Sequence, residues 1–241
     1  GWRAIGAALG IIGVPAVLVF IQPDFGTSLV YVAALVGALI FAGVPWKHLA
    51  WLGSIALVLG IAVLWILPAN DVQVLKPYQV DRLVGFLDPS SDPSDTTYNV
   101  TQSITAVGAG GLHGRGEAGA TQTNLNYLPE HQTDFIFSSL AEQRGFLGAA
   151  ILLLLYAVVL WRGIKVIALA PTHYQAILAG TIVVVFLFQI VVNVGMTIGI
   201  APVVGITLPF VSYGGSSMLT MLALMGLLQA IHVRGRLRLE R

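Results

Sequence analysis

Thr133-Asp-Phe-Ile-Phe-Ser-Ser-Leu-Ala-Glu-Gln-Arg-Gly-Phe-Leu-Gly-Ala-Ala-Ile-Leu-Leu-Leu-Leu-Tyr-Ala-Val-Val-Leu-Trp161 is the stretch whose reading decides the fold. It starts polar, with Asp134, Glu142 and Arg144 near its head, and turns wholly apolar from Phe146 to Trp161. As a helix it would be about 43 Å long, more than the ~30 Å hydrocarbon core of a bilayer. It therefore predicts a transmembrane helix whose first turns stand outside the hydrocarbon, closed by Arg162, Gly163 and Lys165.

Similar apolar runs lie on both sides. Ala4–Ile21 ends at Gln22-Pro-Asp24, Gly26–Val44 ends at Pro45, and Leu49–Leu67 carries Trp51 and Trp65 as interfacial aromatics. Downstream come Tyr174–Ile200, a Gly/Pro-rich connection Pro202–Tyr213, and Gly214–Ile231 with the basic tail Arg234, Arg236, Arg238 and Arg241. The fold class is an all-α polytopic membrane protein with six transmembrane helices and one long extracytoplasmic loop. The chain divides into three transmembrane helices (residues 1–67), the large loop (68–134), and three more helices with a basic cytoplasmic tail (135–241).

Composition agrees. The chain is 56% hydrophobic and 10% charged, against about 25% charged in a soluble domain. The net charge of +1 says nothing about nucleic acid, but the sequence has no basic, aromatic-interleaved patch of the kind a nucleic-acid binder shows, and no nucleic-acid partner is expected. Cysteine is absent and the five histidines lack metal-ligand spacing. The first residue is Gly rather than Met, which points to the C-terminal part of a longer protein. With the tail in the cytoplasm, Arg3, Lys47, Arg162, Lys165 and the tail arginines fall inside, and Lys76, Arg82, Arg115 and Arg144 fall outside in the long loop. The Gln22-Pro-Asp24 turn and the Pro202–Tyr213 connection then open on the same outer side as the loop.

Several residues carry two readings. Thr133 or Asp134 can cap the helix they precede; Asp134 can also act as a general base on a substrate hydroxyl at the membrane surface. Glu130 is a solvated loop acid or part of the same site. Glu142 and Arg144 are interfacial helix residues, two apart and so not face to face. Gly108–Gly116 is a flexible loop or a backbone-amide cradle for phosphate, with Arg115, Lys76 and Arg82 adding charge. Asp88-Pro-Ser-Ser-Asp-Pro93 reads as turns, or as two acids for a divalent cation. Asp24 faces outer water or lines a cavity. Gln189 and Asn193 share one helix face, for interhelical hydrogen bonding or substrate contact.

Seven of these runs, in order, resemble the SEDS family of cell-wall proteins (RodA, FtsW and their sporulation relative). They are Gln22–Ser28, Leu87–Pro93, Tyr98–Ser103, Gly108–Gly116, Leu128–Phe137, Asn193–Met196 and Leu208–Ser217. The resemblance covers nearly the whole chain. It implies ten transmembrane helices, of which these are the last six. It implies an enzyme of the bacterial cytoplasmic membrane, a peptidoglycan glycosyltransferase that polymerises lipid II at the outer face. Its partners would be membrane lipids and a class B penicillin-binding protein. The family's critical aspartate falls on Asp134. Arg115, Lys76, Arg82, Glu130 and Asp24 are the candidate substrate-binding residues. No cofactor is fixed; a divalent cation, Mg or Mn, stays open.

Two positions depart from the pattern. Gln132 stands where many members carry His, and Val204 where division-type members often carry Lys. The second favours the rod-elongation branch over an FtsW-type division polymerase. A non-catalytic scaffold that docks a penicillin-binding protein is a third reading, and a lipid II flippase is the main rival. It would need a polar path through the bundle, whereas the charged residues gather at one side.

Overall fold

The structure, a computed structural model, describes residues 2–22, 24–63, 95–128 and 130–239. Lys76, Arg82 and the Asp88–Pro93 turns lie outside the described residues. Helix α1 (Trp2–Ala8) passes through a π-helical turn (Leu9–Gly13) into α2 (Val14–Ile21). Then follow α3 (Phe25–Phe41), α4 (Trp46–Ile61), α5 (Asp95–Gly110), the single turns α6 (Gly116–Gly119) and α7 (Thr121–Asn124), α8 (Ile136–Leu169), α9 (His173–Thr197) and α10 (Gly215–Leu239).

All six apolar runs form helices over most of their described residues, with Ala42–Val44, Ile198–Ile200 and Gly214 outside them. Ile136–Leu169, His173–Thr197 and Gly215–Arg238 are long and apolar enough to cross a membrane, and Ile5–Ile21, Phe25–Phe41 and Trp46–Ile61 are shorter apolar helices. The 17 residues of α3 give about 26 Å, slightly short of the hydrocarbon core. Half of the apolar window of α9 is buried, against 17% in α8 and α10. Helix α9 is thus the axis, with α3 and α8 against it. The outward Leu, Ile and Val of α8, including Ile151, Leu154 and Leu155, stay exposed, as a lipid-facing surface requires.

The segment between the third and fourth apolar runs holds a helix that the sequence does not announce. In α5 the residues Ser103, Ala106 and Gly110 are buried along one side, a helical spacing. That side packs on α8. Thr101 and Thr105 donate their hydroxyls to carbonyls four residues back, at 2.9 and 2.7 Å. A helix of polar, β-branched residues presents no apolar stripe, and tertiary packing rather than propensity holds it.

Helix α8 breaks at Gly145, whose φ of 67° and ψ of −168° are not helical. The break comes from an interlock with Gly114, itself at φ 81°. A Cβ on Gly114 would lie 2.2 Å from the Gln143 carbonyl oxygen, and one on Gly145 would lie 2.3 Å from the Gly114 nitrogen. Across this contact Phe146 N–H donates to Gly111 O at 2.8 Å and Arg115 N–H to Glu142 O at 2.9 Å. Here the glycine-rich run lets two backbones touch. Gly114→Ala adds a left-handed alanine and a backbone clash, and is expected to cost about 2 kcal/mol or more. Gly108→Ala, with nothing within 4 Å of its added carbon, is expected to be neutral or mildly stabilising. Thermal unfolding of the two purified variants in one detergent checks the contrast.

Candidate functional site

The turn before α8 is built around Phe135, 2% exposed and packed with Ala106, Leu128, Met196 and Val203. With that ring as anchor, residues 130–135 wrap tightly. Glu130 adopts a left-handed φ of 52°, uncommon for a residue with a side chain. Its carbonyl accepts from the N–H groups of Thr133 and Phe135. The Thr133 hydroxyl donates to Glu130 Oε2 at 2.9 Å. It therefore does not cap α8, whose N-cap is Phe135 with no side-chain cap bond. The helix begins one residue later than an Asp134 cap would have it, and two later than a Thr133 cap.

Three successive carbonyls of this turn are held from outside it. Tyr213 N–H donates to Gln132 O at 2.8 Å, Ser212 Oγ to Thr133 O at 2.6 Å, and Asn193 Nδ2 to Asp134 O at 2.8 Å. Asp134 itself is half-buried. Its backbone is fixed by α9 and by the 202–213 connection. Asn193 and Ser212, 0% and 4% exposed, are the side chains that hold the turn; the sequence offered Asn193 for interhelical hydrogen bonding or substrate contact and singled out Ser212 only within the Leu208–Ser217 motif. Asn193 also donates to Ile206 O at 2.7 Å, and Ser212 Oγ accepts from Leu208 N–H at 2.7 Å. Both amide hydrogens of Asn193 thus tie the turn and the connection to one helix. The shared face of Gln189 and Asn193 was legible; its backbone targets were not.

The connection is braced from two further sides. Tyr156 of α8 donates its hydroxyl to Pro209 O at 2.6 Å. The first turn of α3 presses on it at Gly26, where an added Cβ would lie 2.4 Å from Val204 O. Asp24 sits just before that turn, exposed, its Oδ1 accepting from Thr27 N–H at 2.9 Å. Asp24 is thus the N-cap of α3 beside the connection that holds Asp134.

Beneath the turn lies a carboxylate that the sequence reading placed at the interface. Glu142 is 0% exposed. Its Oε1 accepts from Gln122 N–H at 2.9 Å, and its Oε2 from Thr123 N–H at 3.0 Å and Thr123 Oγ1 at 2.7 Å. It staples residues 120–124 to α8. Arg115 is exposed, with Nε donating to Ala109 O at 3.0 Å and Nη1 to Thr121 Oγ1 at 3.4 Å. Glu117 and Arg144 form an exposed ion pair at 2.9 Å.

Asp134 and Glu130 therefore share one turn, Asp24 flanks the connection that supports it, and Arg115 is tied to α5 and α7. Among the described residues no group of three or more His, Asp or Glu side chains is placed to hold a metal ion.

Two cavities lie along α8 and the turn before it. One, of about 650 Å³, is apolar and runs between α5, α8 and α9, with Phe137, Ala141, Ala149, Leu153 and Val194 in its wall. The other, of about 500 Å³, lies between the turn and the start of α10, lined by Gln132, Ile136, Val211, Ser212, Tyr213, Gly214, Gly215 and Met218. An externally fixed, half-buried turn that carries a carboxylate, at the head of a helix with an apolar cavity along it and a polar-rimmed one against the turn, suits a membrane-surface reaction on an amphiphile.

The sequence matches the FtsW/RodA/SpoVE family of cell cycle proteins over residues 1–237. The chain belongs to that family. It is 39% identical to the peptidoglycan glycosyltransferase MrdB of Escherichia coli K12, over 96% of this chain and 61% of MrdB. It is 40% identical to stage V sporulation protein E of Bacillus subtilis strain 168, over 94% of this chain and 59% of that protein. A chain of a solved peptidoglycan synthase complex, described as coordinating polymerization and crosslinking, superposes with a TM-score of 0.76 at 31% identity, over 97% of this chain and 62% of that one. The crystal structure of an aspartate-to-alanine variant of the rod shape determining protein RodA from Thermus thermophilus gives 0.56 at 27% identity, over 93% and 54%. The FtsW/RodA/SpoVE chain described here thus spans about three fifths of the length of these relatives.

Proposed function

We propose that this chain is the reaction-bearing portion of a peptidoglycan glycosyltransferase, which polymerises lipid II at the outer face of the bacterial cytoplasmic membrane. The observation that carries the proposal is the Asp134 turn, with three consecutive carbonyls held by Tyr213, Ser212 and Asn193. Such fixing keeps a base in place, and positioning of this kind governs rate.

In the reaction, an acceptor sugar hydroxyl attacks the anomeric carbon of the donor. The Asp134 carboxylate takes the hydroxyl proton as the new C–O bond forms. The bond from the anomeric carbon to the lipid pyrophosphate breaks, and the pyrophosphate leaves with the electron pair. Arg115, Lys76 and Arg82 are the cations assigned to that developing charge. Single displacement inverts the anomeric centre. The apolar cavity along α8 takes the polyprenyl tail, and Glu130 and Asp24 face the polar part of the substrate.

Rod-shape elongation is the cellular setting proposed, on the strength of Val204. The partner is a class B penicillin-binding protein that supplies crosslinking, in keeping with the synthase complex this chain resembles. The test uses the protein at its full natural length, in vesicles with that partner and labelled lipid II. Glycan strands with release of lipid pyrophosphate support the proposal. Transfer of intact lipid II between leaflets without polymer overturns it in favour of a flippase.

Asn193→Leu keeps the volume of the amide and removes both donors. It is expected to lower kcat about 10²-fold while KM for lipid II changes little. Steady-state kinetics over a range of lipid II concentrations checks this; a rise in KM at constant kcat would assign Asn193 to binding instead.

A further inference from the structure

The second cavity has a lining that the reaction has not used. Its walls are Ile136, Val211 and Met218, and its rim is Gln132, Tyr213, Gly214 and Gly215. No described lining residue is charged, so it suits a neutral group rather than a pyrophosphate. Pyranose rings carry apolar C–H faces and a girdle of hydroxyls. Sites for such molecules combine apolar and aromatic surface with a few polar groups that fix orientation. Gln132 offers an amide that both donates and accepts. At Gly215 an added Cβ would meet nothing within 4 Å, and at Gly214 only Ser217, at 3.4 Å, so the lip is open to a ring.

Tyr213 completes the set. Its side chain is 77% exposed, yet its N–H is fixed on Gln132 O. An exposed aromatic on a fixed backbone is a ready stacking face. Ser212 is excluded as a ligand donor, because its hydroxyl already donates to Thr133 O and accepts from Leu208 N–H. Gln132 and Ile136 stand two residues either side of Asp134, which sets any sugar held here against the turn that carries the carboxylate.

We infer that this cavity is a pyranose subsite, with Tyr213 as its stacking face and Gln132 at its polar edge. It holds the saccharide unit whose hydroxyl Asp134 deprotonates. The inference rests on the glycosyltransferase reading. The competing account of Tyr213 is an interfacial aromatic anchoring the chain in the bilayer.

The experiment measures equilibrium binding to full-length Asp134→Asn protein in nanodiscs. Two probes are compared: undecaprenyl pyrophosphate bearing the disaccharide-pentapeptide, and undecaprenyl pyrophosphate alone. Adding Tyr213→Ala is expected to weaken the saccharide-bearing probe about tenfold and leave the bare lipid pyrophosphate unchanged. Tyr213→Phe and Tyr213→Trp keep the ring face and retain binding of both. The Tyr213 backbone bond survives in each variant, so folding is preserved. If Tyr213→Ala weakens both probes equally, or neither, the subsite is overturned. If the Asp134→Asn protein binds neither probe before Tyr213 is touched, the glycosyltransferase reading fails instead.

Discussion

Asp134→Asn is expected to abolish glycan-strand formation from lipid II, with turnover falling about 10²- to 10⁴-fold, the range a positioned general base supplies. Asn matches Asp in shape but cannot take a proton from a hydroxyl at neutral pH. The fold should tolerate the change. The turn is held through backbone oxygens of Gln132, Thr133 and Asp134 and by the buried Phe135 ring, and all of these survive substitution of the Asp134 side chain. Asp134→Ala should give the same loss, which separates proton transfer from any hydrogen bond that Asn could still donate. The measurement is polymer length and yield from labelled lipid II, on full-length protein with its partner, with thermal unfolding and lipid II binding as controls. Folded, lipid II-binding variants that polymerise at the normal rate would reduce Asp134 to a residue at the start of α8, and the base would have to be sought elsewhere.

How far the chain could be read without coordinates depends on which physical signal each feature leaves. Long apolar runs identify themselves, because burial in lipid needs continuous apolar length. All six form helices over most of their described residues. Asp134 draws notice in the sequence because an acid at the mouth of an apolar run is conspicuous and sits in a family motif; its role as base is our proposal. Helix α5 was not, since Thr97, Asn99, Thr101, Ser103 and Thr105 break any apolar stripe and its stability comes from packing on α8. The glycine-rich run was legible as special backbone but not as to purpose. At Gly114 and Gly145 the purpose is contact between two backbones, which composition does not distinguish from a phosphate cradle. Asn193 and Ser212 act on carbonyls, and a carbonyl has no residue identity to betray its partner. Glu142 looked like one interfacial acid among several, since burial of a single carboxylate shows only when its donors, Gln122 and Thr123, are placed beside it.

That last residue gives the largest structural effect expected. Glu142→Ala removes the acceptor for two backbone N–H groups and one hydroxyl inside the protein. Thr123 Oγ1 can still donate to Ser139 Oγ, at 3.2 Å, but the N–H groups of Gln122 and Thr123 lose the acceptor they share. A buried donor left without a partner costs about 1–3 kcal/mol, so the loss should be about 3 kcal/mol or more. Glu142→Gln should not rescue it: one carboxamide oxygen replaces two acceptors, and its NH₂ would face an N–H. Arg144→Ala is the contrast, because the Arg144–Glu117 pair is exposed, at 65% and 76%, and such pairs contribute about 0–1 kcal/mol. The damage from Glu142→Ala should travel. Residues 120–124 lead directly to Leu128, which is fully buried against the same cluster as Phe135, so release of the staple loosens the support of the Asp134 turn. Thermal unfolding and limited proteolysis between residues 115 and 128 read the two halves of this chain of effects. Faster cleavage there with a lowered Tm and weakened polymerisation is the expected pattern. Unchanged Tm and unchanged cleavage in Glu142→Ala would mean that the carboxylate is not the staple its three hydrogen bonds describe.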